Sequence, residues 1–271
     1  MEQDNIEILG AFLNAPLDNG DTIFNMFKAL PNAVYGEGEG AMERYVYVPG
    51  TREDRVVLVA HIDTVWDKSY DKGLSQAVER KVLFDNGIFH SGSKDCGIGA
   101  DDRAGCAMLW RLKDSGHSIL IVDGEEHGKH GARYLKKSNK SLFNELNNHC
   151  FMIELDHMST NHVSFIQVHN TRRFKNYFKR STGFVDRRLG GGCDLQILSK
   201  KICGANVGVG YYNYHTSKEV LVLKEWENTC SVLKRLLNRE QKRYRTSVLK
   251  RILSFFKRCI VKTLLVLKIK K

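Results

Sequence analysis

Five short segments of the chain carry histidine and carboxylate side chains of the kind that bind divalent metals. Each lies at or near a predicted strand end or loop, and in chain order they read AHIDTV, GADDRAG, DGEEHG, IELDHM and YNYHTS. Adjacent acids repel one another, so a fold that brings acidic pairs together needs compensating positive charge, which metal cations commonly supply. The pattern therefore predicts a metal cluster at one edge of a sheet.

Two of these segments contain adjacent acids. The first pair, Asp101-Asp102, opens a span that predicts a helix as far as Leu112. The second pair, Glu125-Glu126, follows the apolar run 118–122, which is typical of a buried strand. Open α/β sheets keep their active sites at the carboxyl ends of their strands. We therefore expect both glutamates at such an edge.

The histidines occupy similar positions. His61 and Asp63 end the run VVLVAHIDTV, which predicts a central strand. Because strand side chains alternate between faces, these two residues point to the same side. Asp156 and His215 each lie in or after a further strand-like stretch. A lone histidine or acidic pair is usually structural, and it is the occurrence of all five segments in this order that favours a metal site.

The composition indicates one main domain in a reducing compartment. A chain of 271 residues with 42% apolar residues can build one large core. Its seven cysteines are odd in number and form no CxxC pair, which argues against a disulfide framework and a thiolate zinc site. No apolar run reaches the roughly 20 residues that span a bilayer, and acids occupy the N-terminus where a signal peptide carries bases. We therefore expect a cytoplasmic protein.

The net charge of +11 is concentrated at the C-terminus. Residues 232–271 contain 14 lysines and arginines and one acid, whereas residues 1–231 contain 28 bases and 30 acids. We therefore separate a basic tail (238–271) from the main domain. Residues 247–271 predict an amphipathic helix that binds an anionic membrane surface, its own domain or a protein partner. No nucleic-acid-binding module is recognised, so nucleic acid is not an expected partner.

The order and wording of the motifs resemble those of the co-catalytic zinc exopeptidases: leucyl aminopeptidases, peptidase T and related tripeptidases, and their carboxypeptidase and acylase relatives. AHIDTV is similar to the family's histidine-x-aspartate segment, GADDRAG to its bridging-aspartate segment, DGEEHGKHGA to its double-glutamate segment and YNYHTSKE to its final ligand segment. The resemblance covers about residues 45–237. We expect a three-layer α/β/α sandwich around a mixed, mostly parallel sheet, with residues 1–237 as a di-zinc peptidase catalytic domain.

The resemblance also implies a role for each motif residue. The metal ligands that it implies are His61 and Asp156 for one ion, Glu126 and His215 for the other, and Asp101 as the bridge. Glu125 would be the general base, and Asp63 would orient a histidine ligand. Histidine and carboxylate ligands suit two Zn²⁺ ions, although Co²⁺ or Mn²⁺ would accept them too. Two ions about 3.5–4 Å apart can polarise a carbonyl and lower the pKa of a shared water.

Two ligand assignments stay open on the residues themselves. Asp102 could replace Asp101 as the bridge, although alignment through GAD favours Asp101. Glu154 could compete with Asp156, but the two project from the same strand face, so Glu154 could instead support the ligands or face the substrate. Asp194 matches a glycine-aspartate segment common near the substrate pocket of these enzymes, and a helix cap is the competing interpretation.

The spacing of the last ligands bears on the substrate. Asp156 and His215 are 59 positions apart, too few for an independent lid domain plus the rest of the sheet. This layout favours an aminopeptidase acting on short peptides, with Glu154 binding the free amino terminus. The rival hypothesis has Arg172 or Arg173 binding a substrate carboxylate. The alternatives are a deacylase or carboxypeptidase-type amidohydrolase, acting for example on N-acyl amino acids, and a non-catalytic binding protein on the same fold.

Overall fold

The computed structural model describes residues 2–70, 73–74, 80–187 and 192–247. Its helices are α1 (Glu2–Leu13), α2 (Asp21–Lys28), α3 (Ala100–Leu112), α4 (His130–Ser138), α5 (Lys140–Leu146), α6 (Arg172–Thr182), α7 (Leu195–Leu198) and α8 (Leu223–Leu237). Its strands are β1 (Val34–Glu37), β2 (Arg44–Val48), β3 (Val57–His61), β4 (Val82–Asp85), β5 (Ile88–Ser91), β6 (Ser118–Val122), β7 (Met152–His157), β8 (His162–Ser164), β9 (Val185–Asp186), β10 (Gly204–Gly208), β11 (Tyr211–Tyr212) and β12 (Val220–Val222).

The main sheet is mixed. Eight strands follow the order β1-β2-β6-β3-β7-β10-β8-β9, and its four central strands, β6, β3, β7 and β10, are mutually parallel. Antiparallel pairs flank this centre, β1 with β2 and β2 with β6 on one side and β10 with β8 on the other. A second sheet, in the order β11-β12-β5-β4, packs beside the first.

Helices cover both faces of the main sheet and make two cores. In β3, Leu58 and Ala60 belong to the core formed with α1, α2, α3, α6 and α8. The alternate residues Val57 and Val59 belong to the core formed with α4, α5 and α7. A strand that is covered on both faces must be apolar throughout, which explains why every residue of β3 and β6 is buried. The predicted three-layer α/β/α sandwich is confirmed.

The segment between Asp156 and His215 contributes to these same layers. Its described residues form strands β8, β9, β10 and β11 and helices α6 and α7. The sequence predicts a strand over residues 163–168, and the basic and aromatic stretch 170–188 has only weak periodicity. The structure ends β8 at Ser164, because the chain turns through Gln167 at a φ of +61°. The described part of this segment forms no separate lid domain.

Residues 238–247, which we assigned to the tail, pack against the main domain. The Tyr244 N–H donates to the Cys150 carbonyl at 2.8 Å, and the Tyr244 carbonyl accepts from the Cys203 N–H at 2.7 Å. The Tyr244 ring stacks on Tyr177 and contacts Phe174. The predicted amphipathic helix at 247–271 lies outside the described residues apart from Ser247. Among the helices that the structure describes, none has both the length and the apolar character needed to cross a bilayer.

Candidate metal centre

The candidate site lies at the carboxyl ends of three neighbouring parallel strands. His61 is the last residue of β3, Asp156 lies near the end of β7, and Glu125 and Glu126 follow β6 after a short turn. Because β6, β3 and β7 are adjacent, these side chains meet at one edge of the sheet. Asp101, at the start of α3, and His215, after β11, reach the same place.

Two groups of side chains lie close enough to hold metal ions. In the first, His61 Nε2 lies 3.3 Å from Asp101 Oδ1 and 3.6 Å from Asp156 Oδ1. In the second, His215 Nε2 lies 3.2 Å from Asp101 Oδ2 and 2.5 Å from Glu126 Oε1. The candidate ligand atoms of each group lie within 4.8 Å of one another. Asp101 belongs to both groups and presents one oxygen to each.

The donor atoms fit a divalent cation. His61 Nε2 and Asp101 Oδ1 are buried and make no hydrogen bond with any described residue. Buried polar atoms are normally hydrogen-bonded, so two such atoms without a partner at the centre of a carboxylate cluster are what a metal-binding site would show. Imidazole nitrogen and carboxylate oxygen are the ligands that zinc binds. A bound cation would satisfy both atoms and offset the repulsion among the acids.

Asp63 connects the ends of two strands. Its Oδ1 lies 3.1 Å from His61 Nδ1 and accepts a hydrogen bond from the Glu125 N–H at 3.0 Å, while Oδ2 accepts from the Glu126 N–H at 3.1 Å. Burial raises the pKa of Asp63, but the charge of His61 and these hydrogen bonds outweigh burial and hold the pKa below its ordinary value. An ionised Asp63 favours a proton on Nδ1, which leaves Nε2 free to bind a metal.

Asp102 is held by backbone groups. Its Oδ2 accepts from the His61 N–H at 3.2 Å, and its Oδ1 accepts from the Gly105 N–H at 3.0 Å. The residue is fully buried, and burial raises its pKa well above the ordinary value. The peptide bond between Asp101 and Asp102 is cis. Of the two aspartates, Asp101 is therefore the one whose carboxylate faces both groups.

Glu219 holds the loop that presents Asp101. Its buried carboxylate accepts hydrogen bonds from the N–H groups of Ile98, Gly99 and Asp101, at 2.9, 2.6 and 3.1 Å. Burial raises its pKa to about 7. Gly99 has a φ of +67°, a left-handed conformation that glycine adopts without steric cost. Sequence reasoning does not single out Glu219, although it ends the YHTSKE segment.

Glu125 lies beside the two groups and pairs with a lysine. Lys129 Nζ is 2.8 Å from Glu125 Oε1, and both side chains are largely buried. Lys129 has a φ of +66° immediately before α4, an uncommon conformation for a residue other than glycine. Burial and the charge of Asp156 raise the pKa of Glu125 to about 7 despite this pairing. The sequence gives no signal for Lys129 beyond its place in DGEEHGKHGA.

The site concentrates buried negative charge. Burial and the charge of Asp101 raise the pKa of Glu126 to about 8. Burial lowers the pKa of His215, but its contacts with Asp101 and Glu126 outweigh burial and raise the pKa to about 10. In both groups the neighbouring carboxylates favour the protonated form. Bound cations supply the same compensation without protons and reverse these shifts.

The metal groups open into a cavity of about 130 Å³. Glu125 lines it together with four of the candidate ligands, Asp101, Glu126, Asp156 and His215. Met158, Ile166 and Tyr214 add apolar wall, and Tyr211 donates a hydrogen bond to Asp156 Oδ1 at 3.3 Å. The cavity therefore combines the acidic centre with a small apolar surface.

The residues predicted to bind substrate do not line this cavity. The Glu154 carboxylate is fully buried and accepts from the N–H groups of Asp194 and Leu195 at 2.9 and 3.2 Å, so it is occupied by the start of α7. Asp194 is also buried, and its side chain makes no capping hydrogen bond. Arg172 and Arg173 are exposed on the first turn of α6. Glu154 is therefore not free to receive an amino terminus.

Comparison with known proteins agrees with this architecture. Aminopeptidase PepT from Bacillus cereus ATCC 10987 is similar to this chain with a TM-score of 0.64 and 13% identity, over 88% of this chain and 98% of that chain. A tripeptidase from Staphylococcus aureus subsp. aureus mu50 has a TM-score of 0.61 and 16% identity, over 88% of this chain and 98% of that chain. An aminopeptidase from the archaeon Desulfurococcus kamchatkensis has a TM-score of 0.60 and 11% identity, over 89% of this chain and 96% of that chain. At these identities the likeness establishes a shared fold. No curated protein sequence matches the chain.

The sequence itself carries the family relationship. Residues 45–189 match the model of peptidase family M28, and this match covers more than half of the chain. The matched range contains four of the five metal-ligand segments, from AHIDTV to IELDHM. The resemblance to co-catalytic zinc exopeptidases is thereby confirmed. The chain belongs to peptidase family M28 and is a metallopeptidase.

Proposed function

We propose that the protein is an aminopeptidase that removes residues from short peptides, using two zinc ions and Glu125 as the general base. The observation that carries this proposal is the pair of ligand groups that share Asp101 and open, beside Glu125, into one cavity. The aminopeptidases and the tripeptidase with the same fold support the choice of substrate.

The ligand assignment in this proposal follows the two groups. His61 and Asp156 would hold one ion, Glu126 and His215 the other, and Asp101 would bridge them. Bound zinc would polarise the scissile carbonyl and lower the pKa of water, as Co²⁺ or Mn²⁺ would also do.

The protein's own side chains would move the protons. Glu125 would take a proton from the attacking water and give it to the leaving amine, a role that needs a carboxylate beside the reacting atoms and not consumed as a ligand. Lys129, paired with Oε1, would keep Glu125 aligned. Asp63 would fix the proton of His61 on Nδ1, and Glu219 would keep Asp101 in place through the backbone of its loop.

The substrate's amino end would occupy the cavity. The cavity is small, about 130 Å³, so a short peptide would place its amino end there and its remaining residues outside. Since Glu154 is occupied by backbone amides, the charged amino terminus would be received by the carboxylates that line the cavity. This arrangement suits an exopeptidase.

We also propose a division of the chain into a catalytic domain and a tail. Because residues 238–247 pack on the domain, the catalytic unit would extend to 247. The remaining basic and apolar residues would attach it to an anionic membrane surface or a protein partner, within the cytoplasm. The six described cysteines are all free and buried, as a reducing compartment allows. Sedimentation with anionic vesicles, comparing the full chain with residues 1–247, tests the proposed attachment to a membrane surface.

One experiment tests the catalytic proposal. Metal content is measured by mass spectrometry on the purified chain, and hydrolysis is measured on matched aminoacyl and N-acylated amides for wild type and Glu125→Ala. The exposed Glu53, to which the structure gives no side-chain contact, provides the matched control Glu53→Ala. We expect about two zinc ions per chain in all three proteins, with aminoacyl turnover that collapses only in Glu125→Ala.

Other results would contradict the catalytic proposal or the ligand assignment. Turnover of acylated substrates alone would identify a deacylase or carboxypeptidase-type amidohydrolase. Bound metal without turnover of any substrate would favour a binding protein on this fold, and failure to bind metal would refute the ligand assignment.

A further inference from the structure

Two surface cavities lie along α6 and β9, and one of them shares a lining residue with the catalytic cavity. The first, of about 350 Å³, is lined by Phe165, Ile166, Lys175 and Asp186, and Ile166 also lines the catalytic cavity. The second, of about 570 Å³, shares Asp186 with the first and is bordered by Lys179 and Arg180. The three cavities therefore adjoin in a row. We call the two outer cavities the α6 groove.

The α6 groove is rich in positive charge. Lys175, Lys179 and Arg180 contribute three cations against one acid, Asp186. Asp186 lies 3.7 Å from Lys175 Nζ, so these two charges largely offset each other. Lys179 and Arg180 form no ion pair with any acid that the structure describes. A net positive charge is left at the outer end of the groove, facing solvent.

The groove also has apolar surface for a peptide backbone to lie on. The Lys175 ammonium lies 4.9 Å from the centre of the Phe165 ring. Val185 is 53% exposed, although β9 belongs to the main sheet. In the part of the chain that the structure describes, β9 is the last strand of that sheet and pairs only with β8, so its other side has no strand partner there. Extended peptides can bind along such an edge.

The spacing of the cations suits an extended peptide. Lys175 and Lys179 lie four residues apart on α6, about 6 Å along the axis. An extended peptide advances about 3.3 Å per residue, and every second side chain points the same way. A peptide side chain near Lys175 would therefore be followed, two residues later, by one near Lys179. An acid at that second position would meet the net positive charge of Lys179 and Arg180.

We propose that the α6 groove binds the C-terminal part of a peptide substrate and selects peptides that are acidic beyond the cleaved bond. The inference rests on the proposed function, because it takes the catalytic cavity as the place of the amino terminus. The lining residue Ile166, which the groove shares with that cavity, and the complementary charge favour substrate as the occupant.

The experiment compares three substrates of the full-length protein. Leu-Ala-Ala-Asp-Ala-Asp and Leu-Ala-Ala-Asn-Ala-Asn differ only in charge, and leucinamide is too short to reach the groove. The proteins are wild type, the charge-reversed Lys179→Glu/Arg180→Glu and the control Lys137→Glu/Lys140→Glu, which reverses two exposed lysines on α4 and α5.

Wild type is expected to favour the aspartate peptide by about threefold to tenfold in kcat/KM, through KM, since exposed ion pairs are worth roughly 0.2–1 kcal/mol each. The preference should disappear in 0.5 M salt, which screens exposed charges. It should be lost or inverted in Lys179→Glu/Arg180→Glu and kept in the control. Leucinamide turnover should be equal in all three proteins. Equal use of the two peptides by wild type, or an unchanged preference after charge reversal, overturns the inference.

Calorimetric titration of the two peptides into chelator-treated, metal-free protein separates this inference from the proposed function. Tighter binding of the aspartate peptide by wild type than by the reversed variant supports the groove even if no substrate is turned over. Equal binding of both peptides refutes the groove even if leucinamide is cleaved.

Discussion

Replacing Asp63 by asparagine tests the arrangement that joins the two ligand groups. The wild-type carboxylate faces three donors: His61 Nδ1 and the Glu125 N–H at Oδ1, and the Glu126 N–H at Oδ2. In the variant, one of these two oxygens becomes an amide nitrogen, which itself donates. The substitution preserves side-chain volume, so its effect is confined to charge and hydrogen bonding.

The geometry fixes the expected size of that effect. If the amide nitrogen replaces Oδ2, only the Glu126 N–H loses its acceptor. If it replaces Oδ1, both His61 Nδ1 and the Glu125 N–H lose theirs. The first orientation therefore has the lower energy. One buried N–H without an acceptor costs about 1–3 kcal/mol of the free energy of unfolding. Loss of the carboxylate behind a histidine ligand lowers metal affinity about 10–100-fold.

Two measurements check these values. The zinc dissociation constant is obtained by competition with a chromophoric chelator, and the free energy of unfolding is obtained by urea titration of the metal-free protein. The control is Asp67→Asn, because Asp67 is also buried but accepts from the Ser69 N–H at 2.9 Å. A zinc dissociation constant within threefold of wild type for Asp63→Asn, or an equal loss in Asp67→Asn, would refute the reasoning.

Three further perturbations follow from the structure. Lys129→Met should lower kcat about tenfold with metal content unchanged, because the buried ion pair with Lys129 holds Glu125 in place and a tenfold loss corresponds to about 1.4 kcal/mol of transition-state stabilisation. Lys129→Arg should restore most of the loss, and the exposed Lys136→Met should have no effect. Steady-state kinetics of the three variants check this. Burial lowers the pKa of His149 to about 4. As the pH falls from about 6.5 toward 4, this histidine therefore takes up a proton in the unfolded chain but not in the folded one. Between pH 7 and pH 5 the free energy of unfolding should fall by about 2 kcal/mol because of this group. His149→Gln should flatten that dependence in urea titrations at the two pH values, and an unchanged slope would contradict it. The metal-free protein, prepared with a chelator, should unfold at a temperature roughly 5–10 °C lower than protein in metal at about 100 times the dissociation constant. Equal midpoints in calorimetry would show that the cluster is stable without cations.

The sequence could indicate candidate ligands because four of the five segments follow, or lie within a few residues of, an apolar or β-rich run. His61 is the last residue of β3 and Glu126 follows β6, and both strands are buried at every residue. Such apolar runs can be recognised from the sequence. The order of the motifs then indicated the family. Strand alternation correctly placed Asp63 on the side of His61.

Contacts between distant segments could not be read in this way. Glu154 shares a strand with Asp156, but its carboxylate is taken by backbone N–H groups at residues 194 and 195. Glu219 acts on a loop about 120 residues earlier in the chain. Lys129 reaches Glu125 through a left-handed turn that nothing in its residue type predicts.

Residues 238–247 have a consequence for the order in which the protein is made. Tyr244 joins the backbone of Cys150 to that of Cys203, next to the starts of β7 and β10, and its ring covers Phe151 and Phe174. This segment is synthesised after every strand of both sheets. A ribosome-bound chain that has completed α8 would therefore still expose part of its aromatic core, and the last steps of folding wait for the residues that follow.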